Sequence, residues 1–166
     1  MIIRNEMESD LWRISEITRA AFENHPYSKH TERFIINALR AANALTISLV
    51  AEIGGNVVGH IAFSPVTISD GSQDWYGLGP VSVLPECQKQ GIGKSLVLEG
   101  LSLLKSLAAK GCVLVGDPKY YGRFGFRNYH DLVHDGVPQE YFLALPFDTK
   151  KTQGVVLFHQ GFSASD

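Results

Sequence analysis

Residues 88–95 read QKQGIGKS, and the reading of this stretch decides the fold. Two glycines stand one residue apart, and a lysine and a serine follow them. That composition suits a phosphate. Gly91 and Gly93 let the backbone come close to anionic oxygens, and Lys94 adds a positive charge. A Walker A loop would need a glycine five positions before Gly93, where Gln88 stands. A dinucleotide fingerprint would need a glycine three positions after Gly93, where Leu96 stands. The arrangement that fits is a strand ending at Val83, a loop, and a long helix whose N-terminus joins the loop amides in an anion site. A helix entrance with merely flexible glycines is the plain alternative.

Outward from the loop, the apolar pattern predicts a chain of alternating elements. Upstream, WYGLGPVSV reads as a strand with an odd interior. Gly77, Gly79 and Pro80 there predict a bulge or an interrupted ladder. Before it, LTISLVAEI and NVVGHIAFSPV read as two strands joined by a tight Gly-Gly turn. Two helices precede them. Ser9 or Asp10 would cap the first, which carries Leu11, Ile14, Ile17 and Ala21 on one face. Thr31 would cap the second, with Phe34, Ile35, Ala38, Leu39 and Ala42 inward. MIIR is a short first strand. Downstream, Val97, Gly100, Leu101, Leu104, Leu107 and Ala108 form the stripe of the long helix, and Gly111 would end it. CVLVG is short and wholly apolar, as for a strand buried on both faces. DPKYYGRFGF is a turn, a helical turn and an aromatic cluster. EYFLALPF and GVVLFHQGF are late strands. The fold class is α/β, with a mixed sheet and helices on both faces.

Length and composition fit this. A chain of 166 residues suits one domain, spanning 1–166. Its net charge of −2 gives no pull toward nucleic acid or an anionic membrane. Cys87 and Cys112 match no zinc or redox spacing, and the histidines suggest no metal site. The start MIIRNEMESD is charged early and has no apolar stretch of signal length, and no apolar run approaches ~18 residues. These features predict a cytoplasmic protein in a reducing compartment.

The stretch VSVLPECQKQGIGKSLV resembles the acyl-CoA signature of the GNAT superfamily of N-acyltransferases: a strand, then Gln or Arg, two residues, Gly, any residue, and Gly or Ala. Downstream, YYGRFGF is similar to the family's segment of Tyr, three residues, and Gly-Phe. The two motifs occur in the family's order, and the element order matches along most of the chain. The chain is most similar to the family's small bacterial predicted-acetyltransferase group. The resemblance implies a central mixed, mostly antiparallel sheet in which the strand before the loop is splayed from its neighbour. Pantetheine of acetyl-CoA would lie in that gap. Ser82 and Val83 would offer it backbone groups, and Gln88, Lys89, Gln90, Gly91, Ile92, Gly93 and Lys94 would wrap the pyrophosphate. Ser95 could add a hydroxyl. Tyr121, four residues before Gly125, matches the family tyrosine that protonates the departing thiolate. Its plain alternative is a packing residue beside Phe124 and Phe126.

A primary amine arrives protonated, because its pKa is about 10, so a base is needed. The strand before the loop has no acid. Glu52, His60, Asp74 and water stay open as acceptors of the proton. Lys89, Lys94, Arg123 and Arg127 are either a solvated face or partners of the coenzyme's 3′-phosphate. Phe22, Tyr27 and Phe34 either line an acceptor pocket or, for Phe22 and Phe34, belong to the core. The resulting expectation is an acetyl-CoA-dependent N-acetyltransferase. It would act by direct attack on an amine of a small molecule or peptide, without metal, nucleic acid or membrane, and with a homodimer admitted. The alternatives are a non-catalytic acyl-CoA sensor, or a protein- or tRNA-directed acetyltransferase.

Overall fold

A computed structural model describes all of residues 1–166. The chain opens with strand β1 (Ile2–Asn5), then helices α1 (Leu11–Phe22) and α2 (Glu32–Ala41). Strands β2 (Ile47–Ile53), β3 (Asn56–Pro65), β4 (Thr67–Ile68) and β5 (Trp75–Val83) follow. After the glycine loop come helix α3 (Ile92–Ser106), strand β6 (Gly111–Val115) and the one-turn helix α4 (Pro118–Tyr121). The chain closes with β7 (Leu132–Val133), β8 (Phe142–Pro146) and β9 (Gly154–Leu157). The central sheet has the order β1-β2-β3-β5-β6-β8, and only β5 and β6 are parallel neighbours. The expected mixed, mostly antiparallel sheet is present.

Alternation along β2 shows why helices cover both faces. Leu49 and Ala51 point into the core under α3, with Ile61, Phe63, Leu96 and Leu104. Val50, between them, points to the other face, against Ile14 and Ile17 of α1 and Ile36 of α2. Gly54 and Gly55 turn β2 into β3 with φ of +56° and +82°, values that a two-residue hairpin of this kind requires.

Several local expectations are corrected. Neither Ser9 nor Asp10 caps α1 through its side chain. The Asp10 carboxylate instead accepts from the Met7 amide at 2.7 Å and from Arg4 at 2.8 and 3.1 Å. Ala42 is exposed and Ile36 takes its place in the core. Leu107 and Ala108 are exposed too. The helix stops at Ser106 and the chain leaves through Ala108 in the left-handed region at φ +63°, while Gly111 begins β6. A second sheet, β4-β9-β7, packs Val156 and Leu132 against Trp75, Val113 and Phe142. Its two-residue strands are too short to show a period in the sequence. No helix is long and apolar enough to cross a membrane.

Gly100 belongs on the stripe of α3 for a steric reason. A Cβ there would stand 2.2 Å from Cε1 of Phe63, a ring with no exposure. Alanine would add about 1 kcal/mol of helix propensity, but overpacking a fixed core costs about 1–3 kcal/mol. We expect Gly100→Ala to lower the urea unfolding midpoint; an unchanged or raised midpoint would mean that Phe63 has room to move.

Candidate active site

The middle of the sheet opens into a V. Strand β5 pairs with β6 only at Trp75–Gly111, Tyr76–Cys112 and Gly77–Val113. Beyond Gly77 the two strands diverge, while β5 stays paired with β3 as far as Val83. Successive residues of a strand turn their N–H and C=O to opposite edges. Every second residue of the outer half of β5 therefore presents both groups to an unpaired edge inside the V. The bulge lies where the sequence places it. Ile61 faces Val81 and Phe63 faces Leu78, so β5 carries an extra residue at Gly79–Pro80, with Gly79 at φ +131°.

The glycine loop sits at the mouth of the V. Lys89 at φ +63° and Gly91 at φ +85° turn the chain into α3. Gln88, Lys89, Gln90 and Gly91 are exposed, whereas Ile92 is 2% exposed and anchors the loop in the core. The first regular bond of α3 runs from the Ser95 amide to the Gly91 carbonyl at 3.1 Å. The amides of Ile92, Gly93 and Lys94 consequently lack helical partners, and the first turn contains no acid to oppose an anion. Gln88 folds back, donating Nε2 to the Val83 carbonyl at 3.0 Å. The Val83 carbonyl keeps a second lone pair. The Ser82 hydroxyl is buried without a partner and faces the α1–α2 side of the sheet. The Leu84 amide bonds to the Val58 carbonyl of β3 at 2.9 Å, so by alternation Ser82 turns its backbone to β3 as well, and of the expected pair only Val83 presents backbone groups to the V.

Helix α4 follows the other arm of the V. The Asp117 carboxylate caps it, accepting from the Lys119 amide at 2.9 Å, and Pro118 starts it. Gly125 ends the segment at φ +97°, a conformation that accounts for the glycine of the motif. Tyr121 packs on the α3 side with Phe126, ring centres 6.1 Å apart. Burial pushes its phenol up to about 12. Gly116 must stay small, since a Cβ would lie 2.6 Å from the Tyr121 ring. Tyr120 is a residue the sequence reading passed over. Its ring meets Tyr121 edge-on at 4.9 Å, and its hydroxyl lies 3.3 Å from where a Cβ on Gly93 would be. The doubled tyrosine was its one signal. Arg123 stacks on Tyr120, 4.5 Å from the ring centre, so it is more than a solvated charge.

The three residues considered as bases stand away from the V. Glu52 pairs with Arg4 at 3.1 Å where β2 meets β1. Asp74 is exposed at the closed end of the β5–β6 pair. His60 is fully buried on β3 beside a chain of polar groups. Arg40 makes two 2.9 Å bonds to the Glu6 carboxylate, Ser48 donates a short bond to Glu6, and His60 Nε2 lies 2.8 Å from Ser48 Oγ. Ser48 has one hydrogen and gives it to Glu6, so Nε2–H of His60 donates to Ser48, and Nδ1 is left buried without a partner. Burial lowers the His60 imidazole to about 4, against the opposing pull of Glu6. Burial alone would raise Glu6, but Arg40 and Ser48 together hold its carboxyl below the usual range.

Phe22 lines a hollow between α1 and α2 with Thr18, Glu23, His30 and Arg33. Tyr27 is 90% exposed, and Phe34 is half-buried under the Arg33 guanidinium at 4.7 Å. Phe22 and Phe34 are therefore outside the core. No three His, Cys, Asp or Glu side chains are grouped to hold a metal.

A splayed parallel pair with an amide-rich loop at its mouth is the arrangement expected of an acyltransferase. The chain belongs to the acetyltransferase (GNAT) family, whose model matches residues 10–126. It is similar to the Escherichia coli (strain K12) protein named as the uncharacterized N-acetyltransferase YhbS, 36% identical over 135 residues, covering 80% of this chain and 78% of that one. The crystal structure of a GNAT family acetyltransferase from Brucella melitensis in complex with acetyl-CoA superposes with a TM-score of 0.86 at 49% identity, covering 97% of both chains. YhbS from Escherichia coli in complex with CoA gives a TM-score of 0.89 at 31% identity, over 98% of this chain and 91% of that one.

Proposed function

We propose that this enzyme transfers an acetyl group from acetyl-CoA to an amine of a small molecule or peptide, by direct attack in a ternary complex within one catalytic domain. The observation that carries the reading is the V, with its unpaired β5 edge leading to the free amides of α3. Pantetheine would extend along Val81 and Val83 as an added strand, and the pyrophosphate would meet residues 88–95. The thioester would then sit near the Gly79–Pro80 bulge, where a strand amide can bind the oxyanion. Tyr121 would give its proton to the departing thiolate. Cys112 is buried and pushed above the usual thiol range by that burial, so it cannot carry the acetyl group as a thiolate. Two free cysteines agree with a cytoplasmic, reducing setting.

Isothermal titration tests the donor. We expect micromolar binding of acetyl-CoA and coenzyme A but not of ATP. Gly91→Val together with Gly93→Val should weaken it at least tenfold. Valine at position 91 is strained at φ +85°, and at position 93 it crowds the Tyr120 hydroxyl. ATP binding without acetyl-CoA binding would overturn the reading.

A further inference from the structure

His134 follows β7 and is held from three sides. Its Nδ1 lies 2.9 Å from the carbonyl oxygen of Val156 on β9. A carbonyl only accepts, so Nδ1 carries a hydrogen, and in the neutral ring Nε2 holds the lone pair. Phe158 meets the ring edge-on at 4.8 Å, and Phe142 leans on it at 5.6 Å. Nε2 has no partner in the chain and is not sealed in the interior, so it reaches solvent.

The place of this nitrogen matters. Phe158 lies over Gly77, where a Cβ would stand 2.8 Å from its ring. Gly77 is the last residue of β5 paired with β6, so Phe158 covers the vertex of the V. Phe142 pairs with Val115 at the tip of the β6 arm. His134 thus stands in an aromatic wall beside the vertex, on the α1–α2 side of the sheet. Tyr121 lies on the α3 side. His134 and Tyr121 therefore stand on opposite faces of the sheet, with the divergence of β5 and β6 between them.

We propose that His134 is a catalytic residue whose Nε2 takes the proton of the attacking amine. The inference rests on the acetyl-CoA reading above. The ammonium form of the acceptor first loses one proton to solvent. The amine lone pair then forms the N–C bond, and the carbonyl π pair moves to oxygen. As the tetrahedral intermediate collapses, the C–S bond breaks. The surplus N–H proton passes to His134 Nε2, and Tyr121 protonates the thiolate. Solvent takes the proton from His134 and restores that of Tyr121.

Bromoacetyl-CoA tests this without an identified acceptor, because it carries an electrophilic carbon in place of the acetyl methyl group. Nε2 displaces bromide, an N–C bond replaces C–Br, and the Nδ1 proton leaves to solvent. Peptide mass spectrometry should find the adduct chiefly on His134. His134→Asn keeps a side-chain amide to donate to Val156, and should reduce labelling at least tenfold while acetyl-CoA affinity stays within about twofold. A compound that competes with acetyl-CoA yet labels another residue, Cys87 included, or labels nothing, overturns the role of His134. Failure of both compounds to bind overturns the donor site itself, and this inference with it.

Discussion

Replacing Tyr121 by phenylalanine is expected to lower turnover about 100-fold and leave acetyl-CoA affinity within about twofold, the lower range of what a general acid supplies. The substitution removes one oxygen and keeps the ring that packs on Phe124 and Phe126. Binding and folding should therefore change little. With its ionisation pushed to about 12 by burial, the phenol stays a hydroxyl at every useful pH. It can donate a proton and cannot serve as the base. The same burial makes it a weak acid, several units above an ordinary thiol of about 8.5. Transfer to the thiolate is uphill by that margin and is completed only as solvent restores the phenol's proton, hence the modest end of the range. A 100-fold loss corresponds to about 2.7 kcal/mol of transition-state stabilisation. It should appear equally in kcat and kcat/KM, as for an interaction made only in the transition state. Tyr120→Phe is the contrasting variant. Its hydroxyl faces the glycine loop, so its loss should weaken acetyl-CoA binding a few-fold and spare kcat. Full turnover by Tyr121→Phe on every accepting amine, with an unchanged pH profile, would remove Tyr121 from the mechanism. A reversal of the two phenotypes would assign the proton to Tyr120.

The parts of this site that were legible in the sequence are those written in local backbone chemistry. Gly91 and Gly125 adopt left-handed conformations that only a few residue types tolerate, so each marks its turn wherever the rest of the chain lies. Gly79 and Pro80 spoil a strand ladder on their own account, and the bulge appears between them. The stripe of α3 is legible as far as Leu104 because its period is regular. Legibility ends where the deciding contact is distant. Gly111 looks like a helix stop, yet it is buried in β6 against Trp75, whose ring would lie 2.4 Å from its Cβ. Ala108 makes the turn instead. His134 acquires its orientation from Val156 and its setting from Phe158, both on or beside a strand that pairs with two-residue partners. Nothing near His134 in sequence announces either contact. Tyr120 and Tyr121 are adjacent in sequence and serve different surroundings, a distinction set by the orientation of α4 against the loop.

Acidification should destabilise the native enzyme before its carboxylates are protonated, and His60 is the reason. In the unfolded chain a histidine takes its proton near pH 6.5. In the native state burial holds His60 near 4. Between those values the unfolded state binds a proton that the native state refuses, so stability falls as pH drops from about 6.5 to about 4. From pH 7.5 to pH 5 the loss from this one group is about 2 kcal/mol, a large share of a typical margin of about 5–15 kcal/mol. Glu6 acts in a lower window. Its carboxyl is held below the usual range by Arg40 and Ser48, so its contribution is complete above about pH 4.5 and is lost only below that. His60→Leu separates the two. Leucine gives up the donor to Ser48, worth about 1 kcal/mol, but it also removes the orphaned Nδ1, whose burial costs a similar amount. Ser48 still donates to Glu6. The variant should match the parent at pH 7.5 within about 1 kcal/mol and retain more of its stability at pH 5, as read from urea midpoints at the two pH values. Parallel losses in parent and variant would show that another group senses the acid. A variant much weaker at pH 7.5 would show that the Ser48–His60 bond outweighs the orphaned nitrogen.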